Sequence, residues 1–393
     1  MAEKPGSVAI YGLSTEGYAI ACALASLKRS TIIIDENLHM AMELKPEVAS
    51  AYPSVKTLIE GEPLLALKSV DTSLSQSEYI FFTPKIRRPS SEVETEIGAR
   101  LKEVSKYISK GSTLIYGLPT GIGGNLSVLS VIEKVSGLKL GDDFDYVYAP
   151  LTPGEKRLSV LGTMMTKRQK RLLEFLASIS IKAPTPLSLS SAELLYSKSV
   201  SSKYVTIASE FEFQKKMMSR EERSKMKKTT FKEFYVDDLC ENLLDLKLLV
   251  SSVETGEPIL YLASGSLKSV DGYIRYLIDE LRSILRDKEL KASKTRVMLV
   301  WTRDEFEMRG DKGHVIDDLV ERLHDYIGDI MNVNMFEASA AQGLPLSAEK
   351  TNVIIACSQL DFKTLTSGAS KLRAFSDNIL LLKANLLVER FQR

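Results

Sequence analysis

The chain has 393 residues, of which 44% are hydrophobic and 26% are charged, and its formal net charge is +1. This composition is typical of a folded multidomain protein and excludes a disordered or low-complexity chain. A net charge so close to zero gives no global attraction to nucleic acid or anionic lipid, so binding of a polyanion would require a local basic cluster.

Metal-binding and disulfide patterns are missing from the sequence. The three cysteines and three histidines are Cys22, Cys240, Cys357, His39, His314 and His324. No two cysteines have the C-x-x-C spacing, so we expect neither a metal site nor a disulfide framework. The first residues carry no apolar signal-peptide core, and no uncharged apolar run reaches 18 residues, so we expect a cytoplasmic protein without a membrane span.

Residues 8–35 have the pattern of half a dinucleotide-binding unit: a strand, a glycine-containing turn, an apolar helix and a second strand. Gly12 and Gly17 are present, but Ser14 replaces the middle glycine of G-x-G-x-x-G. Asp35 ends the second strand, where a carboxylate can bind a ribose 2′-hydroxyl and repel a 2′-phosphate. The pattern predicts NAD as cofactor, the alternative being a plain βαβ unit whose glycines serve packing alone.

Strands and helices then alternate up to residue 187. This alternation predicts a parallel, doubly wound sheet in an N-terminal NAD-binding domain, residues 1–187. The predicted helices are residues 37–44, 55–60, 91–108 and 126–135, and the predicted strands are residues 79–82, 112–116, 146–150 and 159–162, with a glycine-rich loop over residues 117–124.

The middle of the chain, residues 188–290, is predicted to be a helical domain because residues 190–249 favour helix and contain no proline or glycine. Residues 215–228 include seven Lys or Arg. That basic stretch is interpreted as a solvated or partner-facing helix surface, with a nucleic-acid or phosphate site as the alternative. Residues 256–272 are predicted to form a loop.

A second α/β domain is predicted over residues 291–393. Its strands are residues 296–301, 352–357 and 378–382. The expected fold class is therefore α/β, with two Rossmann-like doubly wound domains joined by a helical middle domain.

Several short motifs occur in the same order as in one known family. They are a strand ending in Thr83-Pro84, the loop YGLPTG at 116–121, the segment YAPLTPG at 148–154, the triplet AEL at 192–194, and Trp301 with Arg309 eight residues later. In this order the chain resembles the UDP-glucose/GDP-mannose dehydrogenase family of nucleotide-sugar 6-dehydrogenases. The resemblance implies an NAD site that includes Thr83 and Pro84, a substrate-binding Arg309, and a homodimer formed through the middle domain.

The family's catalytic positions are mostly replaced here. The resemblance places the nucleophilic cysteine at Leu267, the anchoring lysine at Val270, the middle-helix lysine and asparagine at Tyr196 and Val200, the loop threonine at Gly117 and the water-activating glutamate at Leu151, and retains Asp271 alone. Losing these groups removes most transition-state stabilisation. The leading hypothesis is a degenerate homologue that binds NAD or a UDP-sugar without the cysteine-dependent oxidation. The alternatives are an active NAD-dependent oxidoreductase on a UDP-sugar and an interaction module that uses residues 215–228.

Overall fold

The computed structural model describes residues 7–87, 93–152, 158–164, 169–179, 184–217, 232–335, 344–367 and 378–385. The chain divides into two compact units. Unit 1 comprises Met1–Val200, Lys247–Val253 and Asp304–Gly310, and unit 2 comprises Ser201–Leu246, Glu254–Arg303 and Asp311–Arg393. The division into three domains stays a prediction.

Unit 1 is built on an eight-stranded sheet whose strands follow the order β4-β3-β2-β1-β5-β6-β7-β8. Strands β2, β1, β5, β6 and β7 run parallel to one another, whereas β3, β4 and β8 pair antiparallel. The strands are β1 Ser7–Tyr11, β2 Thr31–Asp35, β3 Met40–Glu43, β4 Ala66–Lys68, β5 Ser77–Phe82, β6 Thr113–Tyr116, β7 Asp145–Tyr148 and β8 Gly162–Thr163.

The helices of unit 1 are α1 Thr15–Ser26, α2 Pro46–Ala51, α3 Val55–Gly61, α4 Val70–Ser75, α5 Val93–Ser105, α6 Gly124–Ser136, α7 Gln169–Ser178 and the first residues of α8 Leu189–Met217. Those that connect parallel strands, such as α1, α5 and α6, provide the crossovers that such strands require. Strand β2 pairs with β1 on one side, and β5, which comes later in the chain, pairs with β1 on its other side. The carboxyl ends of β1 and β5 therefore flank the switch point where α/β proteins bind ligands.

Unit 2 contains a four-stranded parallel sheet of order β10-β9-β11-β12. Its switch point lies between β9 and β11. Its strands are β9 Thr295–Trp301, β10 Ile330–Asn334, β11 Thr351–Ala356 and β12 Ile379–Lys383, and its helices are the rest of α8, α9 Val236–Cys240, the start of α10 Leu243–Ser252, α11 Pro258–Asp287, α12 Asp311–His324 and α13 Gln359–Ser367. The predicted α/β class with doubly wound parallel sheets is confirmed.

The predicted helix at residues 37–44 is wrong. Met, Ala, Glu and Leu favour helix, but residues 40–43 form β3, which pairs antiparallel with β2 from Ile32 opposite Glu43 to Asp35 opposite Met40. The pairing buries Ala41 completely. Tertiary pairing has overridden local propensity.

The predicted loop at residues 256–272 is also wrong, because α11 runs without interruption from Pro258 to Asp287. Gly256 has a φ of +101° and precedes the helix, and Pro258 opens it, a position where proline is favoured. Gly265 and Gly272 lie inside α11, where a glycine is tolerated at a cost of ~1 kcal/mol.

Among the described residues no helix is long and apolar enough to cross a membrane.

Candidate functional site

The two glycines of the turn after β1 are required by close packing against Thr83. Gly12 has a φ of +118°, and a Cβ on it would lie 2.1 Å from the Thr83 carbonyl oxygen. A Cβ on Gly17 would lie 2.4 Å from the Thr83 Oγ1. Close packing against Thr83 is thus sufficient by itself to require glycine at both positions.

Ser14, at the place of the missing glycine, ties α1 to β5. It is the N-cap of α1, and its Oγ accepts the Gly17 N–H at 3.1 Å and donates to the Thr83 carbonyl at 2.8 Å. Ser14 and Thr83 are fully buried and Pro84 is buried beside them. The structure thus brings five of the predicted cofactor-binding residues together, as a packed junction between β1 and β5.

Glu36, the first residue after β2, spans the switch point with its carboxylate. Its Oε2 accepts the Leu13 N–H at 2.9 Å, and its Oε1 accepts the Lys85 N–H at 2.8 Å. The side chain is completely buried, with the Arg100 guanidinium 3.6 Å from Oε1. A negative charge of the chain itself therefore occupies the place beside the α1 N-terminus that favours anions.

The segment Asp304–Gly310, a part of unit 1, covers the same turn. The Thr15 N–H donates to the Phe306 carbonyl at 2.8 Å, and the Thr15 hydroxyl donates to Asp304 at 2.6 Å. The Ile86 N–H donates to the Met308 carbonyl at 2.8 Å. These contacts use backbone groups on both sides of the switch point.

The present arrangement does not fit a bound dinucleotide. A pyrophosphate needs the backbone N–H groups that open α1, and the N–H groups of Leu13 and Thr15 already have partners in the chain. Asp35, predicted to hold a ribose hydroxyl, accepts the N–H groups of Asn37 and Leu38 with its Oδ1 at 2.8 and 3.2 Å. The carboxylate of Asp35 thus closes the turn that follows β2.

Glu16, in the first turn of α1, is a buried acid at the edge of this junction. Its Oε2 accepts the Met308 N–H at 3.0 Å, while its Oε1 is buried without a hydrogen-bond partner. Burial raises the pKa of the Glu16 carboxyl from 4.5 to about 7, although the nearby Arg309 guanidinium opposes that shift. The protonated form is favoured because desolvation disfavours charge.

Four of the positions carried over from the resemblance converge in unit 1. Arg309, only 4% exposed, donates to the Leu151 carbonyl at 2.6 Å and to the Tyr196 hydroxyl at 3.1 Å. The Leu151 N–H donates to the Gly117 carbonyl at 2.9 Å. The predicted substrate-binding arginine is thus buried against the positions that correspond to the lost glutamate and lysine, and the first of these is bonded in turn to the position of the lost threonine.

The remaining catalytic positions have structural contacts or are apolar. Leu267 and Val270 lie inside α11, and Val270 is 4% exposed. Asp271 forms ion pairs with Arg275 at 2.6 Å and Arg322 at 2.8 Å. Val200, in α8, is buried.

The glutamate of the AEL triplet holds the glycine-rich loop. Glu193, which is 3% exposed, accepts the N–H groups of Gly123 at 3.0 Å and Asn125 at 2.7 Å. A carboxylate at a helix N-terminus satisfies free N–H groups and interacts favourably with the helix dipole. Glu193 therefore occupies the N-terminus of α6, where an anion would be favoured.

The switch point of unit 2 is spanned by Asp361. Its Oδ1 accepts the Thr302 N–H at 3.1 Å just after β9, and its Oδ2 accepts the Ser358 hydroxyl at 2.6 Å just after β11. Asp361 is 1% exposed. A buried carboxylate thus links the two central strands, as Glu36 does in unit 1.

The stretch from Tyr235 to Asp237 crosses the carboxyl ends of the unit 2 strands. The Val236 N–H donates to the Ala384 carbonyl after β12 at 2.9 Å, and the Asp237 N–H donates to the Cys357 carbonyl after β11 at 3.1 Å. The Trp301 indole, at the end of β9, donates to Asp237 at 2.7 Å. Atoms of this stretch therefore cover the carboxyl ends of β9, β11 and β12, three of the four strands in the sheet.

Thiols and metal ligands are not gathered into a reactive site in the described part of the chain. Cys240 and Cys357 are fully buried, and burial raises the pKa of the Cys357 thiol above its usual range. Such thiols are poor nucleophiles because the thiolate is the reactive form. Across the ranges given above, no three His, Cys, Asp or Glu side chains lie together where they could bind a metal.

Comparison with known proteins shows which structures share this fold. No family model matches the sequence, and no curated protein matches it. Among solved structures, the chain is similar to a UDP-D-ManNAc dehydrogenase from Pyrococcus horikoshii, with a TM-score of 0.66 and 15% identity over 98% of this chain and 96% of that chain.

Two further dehydrogenases have a similar structure. A UDP-N-acetyl-mannosamine dehydrogenase from Staphylococcus aureus has a TM-score of 0.57 and 11% identity, covering 98% of this chain and 96% of that chain. A UDP-glucose dehydrogenase from Pyrobaculum islandicum has a TM-score of 0.53 and 15% identity, with 90% of each chain covered. The predicted resemblance to nucleotide-sugar dehydrogenases is thus confirmed for the fold.

Two acids close the crevices at the switch points of units 1 and 2, and neither was predicted from the sequence. Glu36 and Asp361 were not singled out, although Glu36 follows Asp35 as a second acid at the end of a parallel strand. The S-x-x-D pattern of Ser358 and Asp361 is a capping signal, and the Asp361 N–H does donate to the Ser358 hydroxyl at 3.0 Å. Both acids carried a local signal, but neither signal indicates a partner on another strand.

Proposed function

We propose that this protein is a non-catalytic homologue of the nucleotide-sugar dehydrogenases, which keeps their fold and acts as a scaffold or partner protein. The observation that carries the proposal is the burial of Arg309 against Leu151 and Tyr196. Oxidation of a primary alcohol to a carboxylate needs a base and a nucleophile. The Leu151 carbonyl and the Tyr196 phenol, both bonded to the Arg309 guanidinium, supply neither a base nor a nucleophile.

The positions of the cysteines also support a protein without this oxidation. The position that corresponds to the nucleophile is Leu267, on the uninterrupted helix α11. The two cysteines of unit 2, Cys240 and Cys357, are buried, and the Cys240 Sγ donates to the Val236 carbonyl at 3.2 Å. Without an accessible thiolate, an aldehyde intermediate has no group to hold it for a second oxidation.

The proposal is tested by incubating the protein at high concentration with NAD and either UDP-glucose or UDP-N-acetylmannosamine. NADH is followed by absorbance, and uronic acid products by mass spectrometry. The Pyrococcus horikoshii enzyme assayed in parallel with UDP-D-ManNAc is the positive control. We expect neither product from this protein, and NADH formed in proportion to its concentration would contradict the proposal.

A homodimer is proposed on the same resemblance. Leu194 and Leu195, consecutive residues near the start of α8, are 52% and 46% exposed, and exposed apolar side chains that occur together on a helix are often covered by a partner. Sedimentation velocity should give a dimer for the wild type and a monomer for a Leu194→Glu, Leu195→Glu double variant.

Of the basic stretch 215–228, residues 218–228 lie outside the described residues.

A further inference from the structure

We infer that Glu36 is a built-in substitute for the diphosphate that the unit 1 crevice would otherwise bind, and that it excludes dinucleotides from this protein. The inference deepens the proposed function and rests on it, since a protein that oxidises no nucleotide sugar has no need of the cofactor. It concerns binding, however, and can fail while the absence of catalysis stands.

The geometry of Glu36 is that of an anion bound at a switch point. Its two oxygens accept the N–H groups of Leu13 and Lys85 at 2.9 and 2.8 Å, one from each central strand end. These are charge-assisted hydrogen bonds, which are about twice as strong as neutral ones. A phosphate would compete for the same N–H groups, and both anions cannot bind them at once.

The charges around the turn oppose a second anion. The Arg100 guanidinium lies 3.6 Å from Glu36 and 2.9 Å from Glu96, so two carboxylates share this cation. The Lys85 ammonium lies 5.1 Å from the centre of the Phe306 ring. A diphosphate entering the crevice would therefore be repelled by the buried carboxylate of Glu36. The Arg100 guanidinium is already shared by two carboxylates, and repulsion between buried charges is strong.

Segment Asp304–Gly310 adds a second barrier. The Phe306 and Met308 carbonyls accept the N–H groups of Thr15 and Ile86, both at 2.8 Å. A dinucleotide could reach the turn only after these bonds break and the Glu36 side chain leaves. Each step breaks a hydrogen bond of a buried or half-buried polar group, which is costly.

The test is a calorimetric titration of inorganic pyrophosphate, and separately of NAD, into the wild type, Glu36→Ala and Glu43→Ala. Glu43 is the matched control, because it lies on β3 of the same sheet and pairs with Lys68 at 3.1 Å. We expect no saturable binding to the wild type or to Glu43→Ala. Glu36→Ala should bind pyrophosphate saturably, and at least about tenfold more tightly than any residual affinity of the wild type, since the N–H groups of Leu13 and Lys85 are released.

Several results would overturn the inference. One is saturable NAD binding to the wild type, which without NADH formation would leave the proposed function intact. Another is a Glu36→Ala variant that folds, as judged by circular dichroism, yet gains no pyrophosphate binding over Glu43→Ala. If Glu36→Ala does not fold, Glu36→Gln keeps the side-chain volume without the charge and should still bind pyrophosphate more tightly than the wild type. Equal binding by Glu36→Gln and the wild type would refute the role of the charge.

Discussion

Arg309 donates through Nη2 to the hydroxyl of Tyr196 at 3.1 Å, with both side chains buried. Tyr196 stands where the resemblance places a catalytic lysine, and Arg309 where it places a substrate-binding arginine. Two positions that would serve the reaction thus bind each other. A guanidinium buried in this way stabilises the fold, because its partners lose their hydrogen bonds when it is removed.

Replacement of Arg309 by alanine should lower the free energy of unfolding by about 2 to 4 kcal/mol, because the Leu151 carbonyl loses its buried donor. Tyr196→Phe removes a single acceptor and should cost about 1 kcal/mol. Arg275→Ala, on a side chain 67% exposed, is the control and should change stability by less than about 0.5 kcal/mol. Urea denaturation measures all three, and equal stability of Arg309→Ala and Arg275→Ala would refute the burial of Arg309.

Gly12→Ala should destabilise unit 1 by more than about 3 kcal/mol or prevent folding. The new Cβ would lie 2.1 Å from the Thr83 carbonyl oxygen, and the backbone φ of +118° is unfavourable for alanine. Gly98→Ala is the matched control, since Gly98 lies in α5 with open space around it and should gain about 0.5 to 1 kcal/mol. A Gly12→Ala protein with the wild-type melting temperature would show that the turn does not pack on Thr83.

The raised pKa of Glu16 predicts a stability that falls with rising pH. The folded pKa of about 7 exceeds the unfolded value of 4.5, so the stabilising contribution is complete below pH 4.5 and is lost as pH rises to about 7. The difference corresponds to about 3 kcal/mol. Arg309 lowers this pKa and Glu307 raises it, with burial as the dominant cause.

Glu16→Gln isolates this effect, because glutamine stays neutral at every pH. We expect the free energy of unfolding of the wild type, relative to Glu16→Gln, to decrease between pH 4.5 and pH 7 and to stay level above. Urea denaturation at pH 5 and pH 8 checks the sign. A difference that is constant with pH, or one that grows in favour of the wild type, would mean that Glu16 is solvated and ionised.

Asp361→Ala should destabilise unit 2 by about 2 to 3 kcal/mol, because it leaves the half-buried Thr302 N–H and the buried Ser358 hydroxyl without their acceptor. Asp279→Ala, on a side chain 72% exposed, should have an effect below about 0.5 kcal/mol. Hydrogen exchange at Thr302 should rise in Asp361→Ala alone. Unchanged exchange at that amide would contradict the link between β9 and β11.

Local patterns were sufficient to predict most elements of the fold. The apolar run of β1 and the strand β5 that stops at Thr83-Pro84 each have a signal within ten residues. The predictions failed where distant partners decide the structure. Residues 40–43 become a strand because β2 offers an edge, and the glycines at 265 and 272 do not break α11 despite their low propensity.

The site was harder to predict, since its contacts join residues far apart in sequence. The turn at Gly12 and Ser14 was predicted from its glycines, but the Glu36 carboxylate bridges positions 13 and 85, and Phe306 reaches Thr15 from a distant part of the chain. Spacing rules describe what an empty crevice would bind. They carry no information on which side chain of the same protein fills it.

The most direct test of the central claim is a calorimetric titration of NAD into the wild-type protein. UDP-glucose and UDP-N-acetylmannosamine are then added in turn while absorbance at the NADH band is recorded on the same mixtures. A crevice closed by Glu36 and the Asp304–Gly310 segment predicts no saturable heat and no NADH. Saturable heat at a stoichiometry of one NAD per chain, followed by growth of NADH, would contradict both the closed crevice and the absence of catalysis.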